Sequence, residues 1–237
     1  DVKASQLKEF LSPLMKKLEA SNITYTSHFE DFGSYLEFYE AMFAPIPVVS
    51  LLRLQNQGLC PCLQLHTNQG VTLYGGAFIP RDVAVNKPDD LISAFRDMNK
   101  LGAQVVGVGL NASLATGGNP WNSVNAGWRD AIMAAAITVP WSFKVPFQEM
   151  ADSQDLLTEK VMPRIKQILP GGGHAYMNEG DFQDRDWKRV FYGDNYAKLE
   201  KIKDKYDPKH LFYALTAVGS DKWVPQSDGR LCKAKKL

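Results

Sequence analysis

The sequence predicts a sheet, antiparallel or mixed, covered by helices. Three observations carry this. Helical and strand-like segments alternate along the first 150 residues. The strand-like segments alternate less cleanly than a solvated sheet face requires. The run Ala134, Ala135, Ala136 suits close packing beneath a helix layer. A chain of 237 residues with 45% apolar and 22% charged residues supports a sizeable core in one or two domains, not disorder.

Each element has its own signal. From Ser5 to Ala20, Leu7, Phe10, Leu11, Leu14, Met15 and Leu18 recur at helical spacing, and Asn22 stops the helix. Ile23 to Phe29 alternates and suits a strand. Val71 to Ile79 reads as another, closed by Pro80. Pro88 is a first-turn proline for a helix through Leu101, which Gly102 ends. Gln104–Leu110 and Asp130–Trp141 are strands, with a loop at Thr116–Pro120 between them. Near residue 150 the character changes. Asp155–Leu169 is helical with a break or kink at Pro163. Pro170–Gly173 is a loop, and His174–Asn178 is extended. Asn195–Tyr206 is a helix with a buried stripe of Tyr196, Leu199 and Ile202, ended by Asp207-Pro208.

Composition and motifs exclude several classes. A net charge of +1 provides no electrostatic case for nucleic acid or an anionic membrane, and Lys233, Lys235 and Lys236 read as a solvated end. The richest apolar stretch, Ala131 to Trp141, is about half the length of a membrane span. His28, His66, His174 and His210 are scattered, and Cys60-Pro61-Cys62 has no neighbouring histidines, so no metal site is expected. Gly107-Val108-Gly109-Leu110-Asn111-Ala112 matches a dinucleotide pattern, but a second glycine-rich loop follows where the pyrophosphate-binding helix should open. There is neither a phosphate loop nor a Gly-x-Ser-x-Gly nucleophile elbow, which argues against an α/β hydrolase. The opening at Asp1, without an initiator Met or signal peptide, predicts a processed product or an excised fragment. Sequons at Asn22 and Asn111 predict a secreted, glycosylated surface. Cys232 pairs with Cys60, with Cys62 or with a cysteine outside this chain, or the three remain free thiols.

From Tyr176 to Trp223 the sequence becomes specific. It reads Tyr176-Met177-Asn178-Glu179, then Trp187, then Tyr192-Gly193-Asp194-Asn195-Tyr196. Leu199, Ile202, Lys203, Lys205, Tyr206, Asp207 and Pro208 follow, then Phe212, Gly219 and Trp223. This order and spacing closely resembles the C-terminal signature of the berberine-bridge-enzyme-like oxidases: a Tyr-x-Asn strand, a Gly-x-Asn-Tyr turn and an Ile-Lys-x-Lys-Tyr-Asp-Pro helix end. Upstream, Asn122, Asn125, Trp128 and Arg129 precede the alanine-rich strand, where the family has its substrate-domain sheet. The look is of the fungal branch that includes isoamyl alcohol oxidases.

The resemblance implies an α+β fold: an antiparallel sheet covered by helices, as in the substrate domain of vanillyl-alcohol-oxidase-type flavoproteins. It also implies a substrate-binding domain over 1–150 and, over 151–237, the end of that domain and a C-terminal segment that returns to an FAD-binding domain absent from this chain. FAD is the implied cofactor, and an N-terminal FAD-binding fragment of the same protein and a small-molecule substrate are the implied partners. The implied reaction oxidises an alcohol, phenolic compound or sugar by hydride transfer to flavin, with oxygen as acceptor. The alternative is a non-catalytic binding module derived from such an oxidase.

Residue by residue, Asn178 matches the Asn of the Tyr-x-Asn element and Tyr176 its Tyr. Both are expected to face the flavin, since alternate strand positions share a face and an amide offers both a donor and an acceptor. Glu179 stands where many relatives carry Tyr. As a carboxylate it is the candidate base for an alcohol proton, provided that burial raises its pKa. Asn125, Trp128 and Arg129 are candidate substrate contacts, although Arg129 equally suits an ion pair with Asp130. Tyr74 and His66 are weaker polar candidates, and Asn195 suits the N-cap of the last helix.

Overall fold

The computed structural model describes residues 3–42, 71–117, 122–141 and 144–234. The chain divides into two compact units, residues 1–60 and 61–237. In the first, α1 (Ala4–Ala20) forms where the helical spacing places it, with the Lys3 amide donating to Gln6 Oε1 at its start. Asn22 takes a left-handed φ of 53° and the Ile23 amide returns to the Leu18 carbonyl, closing the helix. The expected strand over 23–29 is instead irregular chain, for alternation alone supplies no partner for its backbone groups. A second helix, α2 (Tyr35–Met42), follows.

The second unit is built on a three-stranded antiparallel sheet: β1 (Val71–Pro80), β2 (Gln104–Gly109) and β3 (Ala131–Trp141), in the order β1-β3-β2. The register pairs Tyr74 with Thr138, Gly76 with Ala136 and Phe78 with Ala134 on one side of β3. On the other side it pairs Gln104 with Thr138, Val106 with Ala136 and Val108 with Ala134. Because side chains alternate, these nine residues share one face, and their neighbours share the other.

That other face carries the core. Leu73, Ala77, Ile79, Ala135, Ile137 and Val139 bury against two helices. One is α4 (Pro88–Lys100), which follows the short α3 (Arg81–Asn86) and contributes Leu91, Ala94 and Met98. The other is a longer helical rod: α5 (Phe147–Leu156), a π turn over Leu157–Val161, and α6 (Met162–Lys166). The break expected at Pro163 is this π turn just before it. The wide turn brings Leu157, Val161, Met162 and Ile165 all into the core. Gly75 has no Cβ because Met162 Sδ and Leu157 occupy that space. The helices after residue 150 and the strands before it therefore share one hydrophobic core.

The remaining chain has α7 (Trp187–Tyr192), α8 (Tyr196–Tyr206) and a hairpin of β4 (Trp223–Pro225) and β5 (Leu231–Lys233). Asn195 precedes α8 but does not cap it. Its amide donates to the Val124 carbonyl instead, tying this corner to the loop before β3. Ile202 is 40% exposed, so the expected apolar stripe of α8 is not buried at that position among the described residues. Cys232 is an exposed free thiol in β5, while Cys60 and Cys62 lie outside the described residues. No helix among the described residues is long and apolar enough to cross a membrane.

The end of α8 is held by a single carboxylate. Asp207 is buried, pairs with Lys203 Nζ at 2.7 Å, and accepts the amides of Leu211 (2.9 Å) and Phe212 (3.0 Å). The Lys203 bond, aided by these amides, pulls its carboxyl down to about 2. A depressed folded-state pKa stabilises the fold above the ordinary carboxylate range, and this contribution is lost as pH falls through about 2. Asp207→Ala is therefore expected to lower Tm at pH 7, with the gap to the parent narrowing below about pH 4. Thermal unfolding by circular dichroism across pH checks this, and a pH-independent gap would rule out the carboxylate as its source.

Candidate functional site

The face of the sheet away from the core is floored by small residues, Gly76, Ala134 and Ala136, and edged by exposed Tyr74 (39%), Val106 (38%) and Val108 (54%). Between Tyr74 and Gln104 stands Thr138, buried at 3% exposure, with an Oγ1 that finds no hydrogen-bond partner among the described residues. A buried hydroxyl without a partner costs free energy and is an unused polar contact.

The segment 174–180 crosses this face. The Phe78 amide donates to the His174 carbonyl at 2.7 Å, so the segment begins along the free edge of β1. It then turns onto Gly76. A Cβ added at Gly76 would lie 2.7 Å from the Glu179 carbonyl oxygen, closer than a side chain tolerates. The expected strand over 174–178 is only partly present. His174–Tyr176 is extended, but Met177–Glu179 is a single 3-10 turn. Tyr176 and Asn178 still meet, because the turn folds Asn178 Nδ2 back onto the Tyr176 hydroxyl at 2.5 Å. Both side chains are exposed, and Asn178 Oδ1 is left without a partner among the described residues.

Trp128 closes one end of the face. Its ring lies 4.2 Å from that of Phe78 and 5.7 Å from that of Tyr176, with Leu110 packed beside it. Asn125 sets this position. Its Oδ1 accepts the Gly127 amide at 2.9 Å and starts the 3-10 turn Ala126–Arg129, while its Nδ2 donates to the Val190 carbonyl at 2.8 Å. Asn125 is 5% exposed and its polar atoms are engaged within the chain, at the turn that carries Trp128. Gly127 leaves room for the His174 side chain, whose Cβ lies 2.8 Å and ring 2.9 Å from where a Cβ would be. Arg129 makes no ion pair with Asp130. It donates to the Ala112 carbonyl at 2.8 Å and lines a cavity of about 740 Å³ beside Phe78 and His174.

Glu179 is half-buried, and its carboxylate has no hydrogen-bond or ion partner among the described residues. The turn that follows is firmer. Asp184 is buried and pairs with Lys166 at 2.6 Å, and burial pushes the Asp181 carboxyl up. Tyr192 supports the site turn from below. Its hydroxyl lies 2.9 Å from Met177 Sδ and 3.0 Å from the Thr216 carbonyl, and burial pushes its pKa to about 12, so it stays a donor.

Sequence reasoning missed Thr138, Gln104 and Val106, which only strand register brings beside Tyr74. His66 lies outside the described residues. The sequon residues Asn22 and Asn111 are both exposed, and Asn111 Oδ1 accepts the Ser113 amide and hydroxyl. The described residues contain no group of three side chains placed to hold a metal.

The residues present fit a flavin ring. An exposed phenol and an amide with a free acceptor sit on a turn beside a small-residue floor, and a buried hydroxyl without a partner among the described residues stands at its far end. A family model described as "Berberine and berberine like" matches residues 175–219, the stretch that builds this turn. The FAD-linked oxidoreductase patO of Penicillium expansum is 36% identical over 98% of this chain, and ZEB1 of Gibberella zeae, also an FAD-linked oxidoreductase, is 31% identical over 97%. The crystal structure of the VAO-type flavoprotein MtVAO615 from Myceliophthora thermophila C1 superposes with a TM-score of 0.76 at 26% identity, covering 97% of this chain. That of MtVAO713, at 22% identity and a TM-score of 0.75, shows the same fold. The chain spans 37% of the length of patO and ZEB1 and 39% of MtVAO615. The fold, the turn over Gly76 and these relatives together show that the chain belongs to the berberine-bridge-like, VAO-type family of FAD-linked oxidoreductases and corresponds to the C-terminal portion of its members, outside the FAD-binding domain.

Proposed function

We propose that this chain forms the substrate side of an FAD-dependent oxidase whose FAD-binding portion lies N-terminal to it in the same longer protein. The observation that carries this reading is the placement of Tyr176, Asn178 and Glu179 on one turn, above a small-residue sheet face that no core helix among the described residues covers. Bound FAD supplies the hydride acceptor. Asn178 and Tyr176 orient the ring edge through their free acceptor and phenol. Trp128 limits the face at one end and excludes water there. Tyr74 and Gln104, exposed beside the buried Thr138, receive the substrate's polar group at the other. Glu179 takes the hydroxyl proton from an alcohol, phenolic or sugar substrate as its carbon loses hydride. Oxygen is the final acceptor. The protein is secreted, and it carries glycans at Asn22 and Asn111.

The test is anaerobic mixing of the intact flavin-containing protein with representative alcohols, phenols and sugars, followed at the flavin absorbance bands. Bleaching by one of these classes, and recovery on admitting air with release of peroxide, is the expected result. A flavin that no class reduces would overturn the reading in favour of a binding module.

A further inference from the structure

We propose that Met177 is a redox-modified position: hydrogen peroxide oxidises its thioether to the sulfoxide, and the change loosens the turn that carries Tyr176 and Asn178. Three observations point there. Within this chain Met177 is 40% exposed, whereas Met98 and Met162 are fully buried, so the chain's own core does not enclose it. It stands between the two residues whose positions define the site turn. And its sulfur is structurally engaged: the Tyr192 hydroxyl approaches Sδ at 2.9 Å while also reaching the Thr216 carbonyl at 3.0 Å.

The chemistry balances with peroxide alone. One sulfur lone pair attacks an O–O oxygen, the S=O bond forms, the O–O bond breaks and water leaves. Sulfur is oxidised by two electrons and peroxide is reduced by two. The product is polar and larger at sulfur. An oxygen added on the Tyr192 side has no room in a 2.9 Å contact, so Tyr192 or the turn must move. An oxygen added on the solvent side draws the side chain into water and off the phenol. Either epimer breaks the contact between Tyr192 and the turn. The Tyr192 hydroxyl keeps its proton, because burial holds its pKa near 12, and its bond to Thr216 remains. The lower support thus stays in place while the turn above it is released.

A peroxide-forming enzyme would expose this sulfur to its own product. That source rests on the proposed oxidase function, but the modification does not. The test treats the intact flavin-containing protein with hydrogen peroxide and maps methionine oxidation by peptide mass spectrometry. Met177 is expected to gain one oxygen about tenfold faster than Met98 and Met162, as exposure dictates. Equal rates at the three positions would overturn the proposal. In parallel, flavin reduction by substrate is expected to slow in step with Met177 oxidation and to recover with methionine sulfoxide reductases. Met177→Leu is expected to resist that loss. Loss of rate at the parental speed in Met177→Leu, or full oxidation of Met177 without change in rate, would overturn the loosening. A protein that no substrate reduces would count against the oxidase reading only, since the peptide map still decides the modification.

Discussion

Glu179→Gln is expected to slow flavin reduction by substrate about 10²–10⁴-fold, the range a positioned general base supplies. The substitution keeps the shape of the side chain and its backbone contact on Gly76, and removes only the capacity to take a proton. The structure favours this outcome on two counts. The carboxylate has no ion partner among the described residues to neutralise it, and it belongs to the same turn as Tyr176 and Asn178. Stopped-flow reduction under anaerobic conditions reads the effect directly. An unchanged rate would mean that another group takes the proton, and Glu179 would then be only a turn residue.

Gly76→Ala is the second large effect, and it acts through position alone. The new methyl would meet the Glu179 carbonyl oxygen at 2.7 Å, and a backbone atom cannot swing aside. The whole turn must rise from the sheet. A misplacement of about 1 Å costs on the order of 10²-fold in rate, and overpacking costs about 1–3 kcal/mol in stability. Gly75→Ala is the control. Its methyl points to the opposite face, against Met162 and Leu157, where the thioether end is a flexible side chain. Gly75→Ala should therefore lower Tm and spare the rate of flavin reduction, whereas Gly76→Ala should lose both. Equal activity in the two variants would show that the turn does not depend on its seat at Gly76.

Much of the fold was legible in the sequence. The limits of β1, β2, β3 and α4 follow local signals: hydrophobic alternation, a first-turn proline at Pro88, and Gly102 at a φ of 85°. Ile23–Phe29 shows where such signals fail, because alternation promises a strand only if a neighbour accepts its hydrogen bonds. The order of motifs from Tyr176 to Trp223 was equally legible, since one continuous stretch carries it.

The site was legible only in part. Tyr176, Asn178 and Glu179 stand out from sequence because they fall in one short motif, yet their meeting depends on a 3-10 turn, not on the strand that spacing suggests. Asn125 reads from sequence only as a polar residue near Trp128, and its hydrogen bonds to Gly127 and Val190, which hold the turn, come from the fold. By itself the sequence determined the elements, the family and the turn residues, all of which depend on neighbours a few positions apart. Only the tertiary structure decided that Thr138 stands between Tyr74 and Gln104 and that Gly76 seats Glu179. Strand register and close backbone approach join residues 30 to 100 positions apart, and no local pattern encodes such pairings.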